Sequence, residues 1–313
     1  MKALVVGCQG QDGSYLVEQL NAAGVEAYGL SRQGLHDPQG ALLESMALER
    51  EADMHRLLSE KVQAARIFYL PAYHHSSEEA PPEEGALIRR SFEVHAMALL
   101  GVLEGMRLYA PEARLFYAAS SHLFGAVQES PQRESTPLNP ICPYGVSKTA
   151  GVNMCRMYRR RHGLFCSVGY LYNHDSPRRG PRFLTRRIVQ TALAIAAGEA
   201  DELVVGNPAA QVDMGYAPEY ADAMIRILNL DHSDDFILSS GRLVSIQAFI
   251  EAVFDHLKLD WRDHLKTDPS LIRKSQDRGV LLGDNRKLKK ATGWQPKTGI
   301  RALAEIMIEA ERH

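Results

Sequence analysis

Cysteine is scarce in this chain of 313 residues, with only Cys8, Cys142, Cys155 and Cys166. None forms a CxxC pair and no paired His cluster of zinc-site spacing accompanies them, so neither zinc nor a disulfide framework is indicated, and no metal is expected. Long apolar runs are missing too. No stretch approaches the ~18 uninterrupted apolar residues of a membrane-spanning helix, so no membrane partner is expected. Nor does charge of one sign dominate: 36 Lys and Arg against 38 Asp and Glu leave a formal net charge of -2. No global field therefore points to nucleic acid. The local basic runs Arg159-Arg160-Arg161 and Arg186-Arg187 read as solvated helix faces. The opening Met1-Lys2-Ala3-Leu4-Val5-Val6 runs straight into an apolar segment without a signal-peptide pattern. A cytoplasmic protein is expected.

What is present is ordinary globular usage, 45% hydrophobic and 24% charged, enough for one large α/β unit or a nucleotide domain with a smaller lobe. Residues 3–6 form a short apolar run ending at Gly7, followed by helical spacing from Ser14 to Ala23 and a second apolar run at Val25–Leu30. This is a βαβ unit. Further runs at 66–70, 114–118 and 166–171 alternate with helical patterns at 94–107 and 148–161. The alternation predicts a Rossmann-type, doubly wound parallel sheet. From Asn173 onward Pro177, Gly180, Pro181, Pro208 and Pro218 break up the pattern. The expected division is a dinucleotide-binding domain over 1–172 and a smaller substrate-binding lobe over 173–313, with some late segments returning to the sheet.

The turn Gly7-Cys8-Gln9-Gly10-Gln11-Asp12-Gly13 follows the first strand and opens the first helix. Gly7 suits the tight turn, Gly10 lets a pyrophosphate approach the backbone, and Gly13 lets helix and strand pack. The helix N-terminus offers N–H groups and a positive dipole end. Gly7, Gly10, Gln11, Asp12 and Gly13 are therefore the expected cofactor turn. At the end of the second strand stand Ser31 and Arg32, with no carboxylate nearby to hold a ribose 2′-hydroxyl. Both donate readily to a 2′-phosphate, which predicts NADP(H) as the cofactor.

Tyr144 and Lys148 lie four residues apart, hence on one face of a helix. The ammonium is expected to lower the phenol pKa, so that Tyr144 exchanges a proton during hydride transfer, while Lys148 also holds the nicotinamide ribose. Ser120, after the apolar run at 114–118, supplies a hydroxyl for the same substrate oxygen.

The segments GCQGQDGSYL (7–16), FYAASSHLFGAVQESPQRESTPLNPICPYGVSK (116–148), LYNHDSPRRG (171–180), LTRRI (184–188) and LLGDNRKLKKATGWQP (281–296) resemble the extended short-chain dehydrogenase/reductases. The similarity is to the GDP-mannose 4,6-dehydratase branch of the NAD-dependent epimerase/dehydratase family, and it spans nearly the whole chain. The resemblance implies hydride removal from C4 of a nucleotide-linked hexose, loss of water across C5 and C6, and hydride return to C6. It assigns Ser120, Tyr144 and Lys148 to the family's catalytic Thr, Tyr and Lys. It assigns Asn173 and Arg187 to the sugar nucleotide, a GDP-hexose or similar, and Arg273 to its diphosphate, where a guanidinium fork suits phosphate.

Three positions depart from that pattern. His122 stands where the family carries its catalytic Glu, Val212 where it carries a diphosphate-binding Arg, and Lys274-Ser275-Gln276-Asp277 replaces a Pro-Ala-Glu run. An imidazole with a pKa near 6.5 can act as base at C5 and acid at C6, so His122 is a candidate catalytic residue. Reduction or oxidation at C4 needs only Ser120, Tyr144 and Lys148, so a sugar-nucleotide 4-ketoreductase or C4 oxidoreductase is an alternative. A catalytically silent NADP-binding sensor is another. His74 and His75 are read as pocket lining. In this fold the helices near 94–107 and 144 onward commonly pack across a two-fold axis. Met97, Leu100 and Val102 on one and Val152 and Met157 on the other predict a homodimer. The short loop after Arg32 argues against a tetramer.

Overall fold

Short apolar runs become strands where both faces are covered, and here most of them assemble into one sheet. The computed structural model describes residues 1–73, 83–271 and 279–312. In chain order the strands are β1 Lys2–Val6, β2 Glu26–Leu30, β3 Leu35–His36, β4 Leu42–Glu44, β5 Arg66–Tyr69, β6 Arg114–Ser120 and β7 Phe165–Leu171. They continue with β8 Asn173–Asp175, β9 Leu203–Val205, β10 Gln211–Tyr216, β11 Asp235–Leu238, β12 Leu243–Ser245 and β13 Leu265–Thr267. Eight of them form one sheet in the order β11-β7-β6-β5-β1-β2-β3-β4. Six are parallel to their neighbours, while β3 and β4 pair antiparallel at one edge. That antiparallel edge was not visible in the apolar pattern. Strand β3 turns back on β2 through a tight hairpin closed by Ser31 and Gly34, whose backbone groups bond reciprocally at 2.9 and 3.2 Å.

The doubly wound α/β class follows from this order, with β1 at the centre and helices on both faces. One core cluster packs Leu4, Ile67, Leu115 and Tyr170 against Leu99, Leu103 and Val152. A second, on the opposite face, packs Val5, Phe68 and Phe116 against Leu16, Leu20 and Met224. A third core lies wholly within residues 188–308, with Ile188, Phe249, Phe254 and Met307 among its buried members. Strand β11 leaves that later half of the chain and pairs parallel with β7. Beside it, β8, β10 and β12 make a small separate sheet, and β9 pairs with β13.

Two helical segments pack side by side on the sheet. Helix Pro143–His162 begins with Cys142, whose sulfur accepts the Gly145 N–H, has Pro143 in its first turn, and ends at Gly163 with φ 67. Those are the start and stop signals of a well-delimited helix. The pattern expected over 94–107 is part of a longer helical run. Glu84–Phe92 and Ala98–Tyr109 are joined by a π-helical turn at Glu93–Met97.

The structure corrects two expectations. The basic runs are not simply solvated. Arg159 binds the Cys166 carbonyl and Asp235, Arg186 pairs with Glu311 at 2.6 Å, and Arg187 donates to the Val204 carbonyl. These guanidiniums close interior polar groups, which a sequence count of charges does not reveal. Of the apolar residues expected at a dimer face, Val102 and Val152 are buried in the chain's own core, because they point inward from their helices.

Candidate active site

The glycine turn sits between β1 and helix Gln11–Ala22. Gly7 has φ +87, and a Cβ on Gly13 would come within 2.2 Å of the Gly7 carbonyl oxygen, so both positions require glycine. No side chain caps the helix at Gly10. Its first-turn N–H groups are thus left to an anion, which fits a dinucleotide diphosphate. Cys8 is half-buried beneath the turn, where a Cβ on Gly29 would come within 2.6 Å of its sulfur. The Gln11 and Asp12 side chains reach across to the later half of the chain. The Gln11 amide donates to the His174 carbonyl, its oxygen accepts from Ser176, and Asp12 pairs with His174.

At the end of β2 the Ser31 hydroxyl lies 2.8 Å from His36 Nε2 and accepts the Gln33 N–H, while Arg32 is exposed at the hairpin tip. His36 Nδ1 faces the Gly40 carbonyl at 3.2 Å, which locks the ring.

Strand β6 delivers Ser120 to its C-terminal end, where the Ser120 hydroxyl caps a short 3-10 turn by accepting the His122 N–H. Helix Pro143–His162 presents Tyr144 and Lys148 alongside. Ser120 hydrogen-bonds the Tyr144 phenol. The His122 ring stands edge-on to the Tyr144 ring, centroids 5.8 Å apart at 83°. Ser120, His122, Tyr144 and Lys148 are therefore brought together.

The electrostatics differ from expectation in one respect. Lys148 does not bring the Tyr144 phenol below its ordinary value here. Its ammonium donates to the carbonyls of Pro71 at 3.0 Å and Ala118 at 2.7 Å, and lies over the Tyr117 ring. Burial pushes Tyr144 up to about 12, against smaller opposing effects of Ser120 and Arg179. Burial likewise brings Lys148 down to about 7. Burial disfavours the charged form of each group, which keeps the phenol protonated and makes the ammonium resist charge.

His95 went unremarked in the sequence, where one histidine in an apolar helical pattern carries no signal. It sits in the π-helical turn, fully buried, with Nδ1 2.8 Å from the Ser147 hydroxyl and Nε2 accepting the Tyr73 N–H. Its ring packs edge-on to Tyr144 at 5.1 Å, and its carbonyl accepts the Tyr117 hydroxyl. A π-turn at a functional site is a recurrent association; this one turns His95 towards helix Pro143–His162.

The remaining candidates are spread along the later half. Asn173 opens β8 and is exposed, and Arg187 is half-buried on helix Leu184–Ala196. Val212 pairs with Val244 and packs on the third core. Arg273, Lys274, His74 and His75 lie outside the described residues. Among the described residues no group of three His, Cys, Asp or Glu side chains is arranged to hold a metal, and no helix is long and apolar enough to cross a membrane.

A family profile described as GDP-mannose 4,6 dehydratase matches residues 4–307. The chain belongs to that family. Among its relatives, GDP-mannose 4,6 dehydratase 1 of Arabidopsis thaliana is 32% identical, covering 99% of this chain and 89% of its own. The Vibrio cholerae GDP-mannose 4,6-dehydratase is also 32% identical, with 100% and 95% covered. Among solved structures, RMD from Pseudomonas aeruginosa, complexed with NADPH, has a TM-score of 0.84 at 20% identity, covering 100% of both chains. The dTDP-glucose 4,6-dehydratase of Bacillus anthracis, in complex with NAD, has a TM-score of 0.81 at 17% identity, covering 100% of this chain and 96% of that one. These two share the fold. The family membership makes this chain an enzyme of the short-chain dehydrogenase/reductase superfamily, of nucleotide-sugar dehydratase kind.

Proposed function

We propose that this enzyme uses NADP(H) to convert a GDP-hexose, or a closely similar sugar nucleotide, by a 4,6-dehydratase reaction in which His122 takes the part of the family's carboxylate. The observation that carries this is the convergence of the Ser120 hydroxyl, the Tyr144 phenol and the His122 ring at the end of β6, beside the uncapped glycine turn. A bound nicotinamide supplies the hydride acceptor and donor. Gly7, Gly10 and Gly13 would seat its diphosphate, and Ser31 and Arg32 a 2′-phosphate.

The chain's own groups then do the proton work. Tyr144 takes the C4 hydroxyl proton while Ser120 holds the same oxygen. His122, half-buried and against the Tyr144 ring, removes the C5 proton and protonates the departing C6 hydroxyl. Lys148 leaves the Pro71 carbonyl to meet the ribose and the phenol, and only then lowers the phenol. Asn173, Arg187 and Arg273 orient the sugar nucleotide. Residues 1–172 supply the cofactor half and 173–313 mainly the substrate lobe, in a cytoplasmic homodimer.

The replacement of Glu by His122 also favours a second reaction, plain reduction or oxidation at C4. Mass spectrometry of a panel of sugar nucleotides incubated with the protein and NADP⁺ or NADPH separates them. Loss of one water with GDP-mannose is the expected result. A two-hydrogen change assigns a redox enzyme, and no change with any donor leaves a dinucleotide-binding sensor.

A further inference from the structure

Asp12 is an odd residue to find where it is. It lies in the first turn of helix Gln11–Ala22, beside the N–H groups offered to a diphosphate. A carboxylate suits the positive end of a free helix, but it repels a second anion brought to the same place. His174, from β8, answers it. His174 Nε2 is 3.0 Å from both Asp12 oxygens, and Nδ1 is 2.7 Å from the Tyr172 carbonyl oxygen. Neither an ionised carboxylate nor a carbonyl can donate, so both ring nitrogens must carry hydrogen. With Asp12 ionised, this geometry makes His174 an imidazolium. Its ring is buried and stacked on Tyr220, centroids 4.4 Å apart.

We infer that His174 is a positioning residue whose positive charge cancels Asp12 beneath the cofactor's diphosphate, so that the substrate lobe electrically completes the dinucleotide turn. The inference rests on the proposed nicotinamide site. Other groups facing the pair are Arg179, which pairs with Asp175 at 3.3 Å, the phenol of Tyr220, and Gln11, which donates to Asp12. Burial works against charge on both partners. It pushes Asp12 up, but the His174 charge and hydrogen bond outweigh it and hold the carboxyl below its ordinary value. It pushes His174 down, and Asp12 more than reverses that. Asp12 also acts on the catalytic pair, favouring the protonated forms of Tyr144 and Lys148. As pH rises through the His174 value, the imidazole becomes neutral and Asp12 stands uncompensated, so cofactor affinity should fall. Lys148 loses its proton near 7 and moves the wild-type profile the same way. Variants at one pH therefore carry the test.

Wild type, His174→Gln, Asp12→Asn and the double variant are titrated with NADPH and NADH by nicotinamide fluorescence at about pH 7, where histidine charge is decisive. His174→Gln should weaken binding about tenfold, the scale of one uncompensated charge nearby. Asp12→Asn should bind no more weakly than wild type, and the double variant should return to within about twofold of it. A merely structural contact predicts the opposite pattern: both single variants weaken, the double at least as much, and that result overturns the inference while leaving the cofactor site intact. Failure of wild type to bind either dinucleotide overturns the cofactor site and this inference with it. If a variant does not fold, the ¹⁵N shifts of the His174 ring in the wild-type chain decide. Two protonated nitrogens support the imidazolium, and a neutral ring overturns it.

Discussion

At the scale of single residues, the proposed proton relay is carried by one phenol. Tyr144→Phe removes the transferable proton and keeps the ring that packs against His95 and His122. Turnover should fall by about 10²–10⁴, the usual contribution of a general acid–base group, while NADPH affinity stays within about twofold of wild type. Full activity in the variant would remove Tyr144 from the mechanism. Lys148 makes a different prediction. Its folded value near 7 lies below the ordinary 10.5, so between the two the unfolded chain binds the extra proton and stability rises with pH. Below 7 the whole penalty is present. Lys148→Met should thus change Tm more favourably at pH 6 than at pH 9, read by thermal denaturation; an equal change at both would contradict the buried ammonium. The order of Ser120, Tyr144 and Lys148 was legible because spacing along one helix and one strand end encodes it. His95 and the Asp12–His174 pair were not, since each depends on contacts between elements distant in sequence.

At the scale of elements, the glycine turn is the most tightly specified piece. A methyl on Gly13 meets the Gly7 carbonyl at 2.2 Å, and backbone cannot yield as a flexible side chain does. Gly13→Ala should lower Tm by several degrees, a shift that about 1–2 kcal/mol of strain produces, and should abolish NADPH binding by fluorescence titration. Wild-type affinity in that variant would show that the turn does not meet the diphosphate. The parallel strands and their helices were readable from apolar runs and glycine stops. The β3–β4 hairpin was not, because Leu42 and Leu43 are exposed and two- and three-residue strands leave no period to detect. The π-turn at Glu93–Met97 was hidden for a related reason. One extra residue in a helix shifts the apolar stripe without interrupting it.

At the scale of the whole molecule, the surface of two neighbouring helices points to self-association. Gly151 lets helix Pro143–His162 come so close to the π-turn that a Cβ there would be 2.8 Å from the His95 carbonyl. On this pair Met97 is 57% exposed, Val146 43% and Met157 37%. Light scattering at micromolar concentration should give a dimer, and Met97→Glu with Met157→Glu should give a monomer of unchanged Tm, since a two-fold axis doubles each inserted charge. A monomeric wild type would refute this. The sheet carries a further consequence, for synthesis on the ribosome. Strand β7 is seven residues of largely buried, apolar chain, and its outer neighbour is β11, Asp235–Leu238. Until that later stretch has emerged, a nascent polypeptide holds β7 as an open, sticky border. Any ribosome that stalls between them leaves a fragment prone to pair with its neighbours, and the cell must shield it until the last strand arrives.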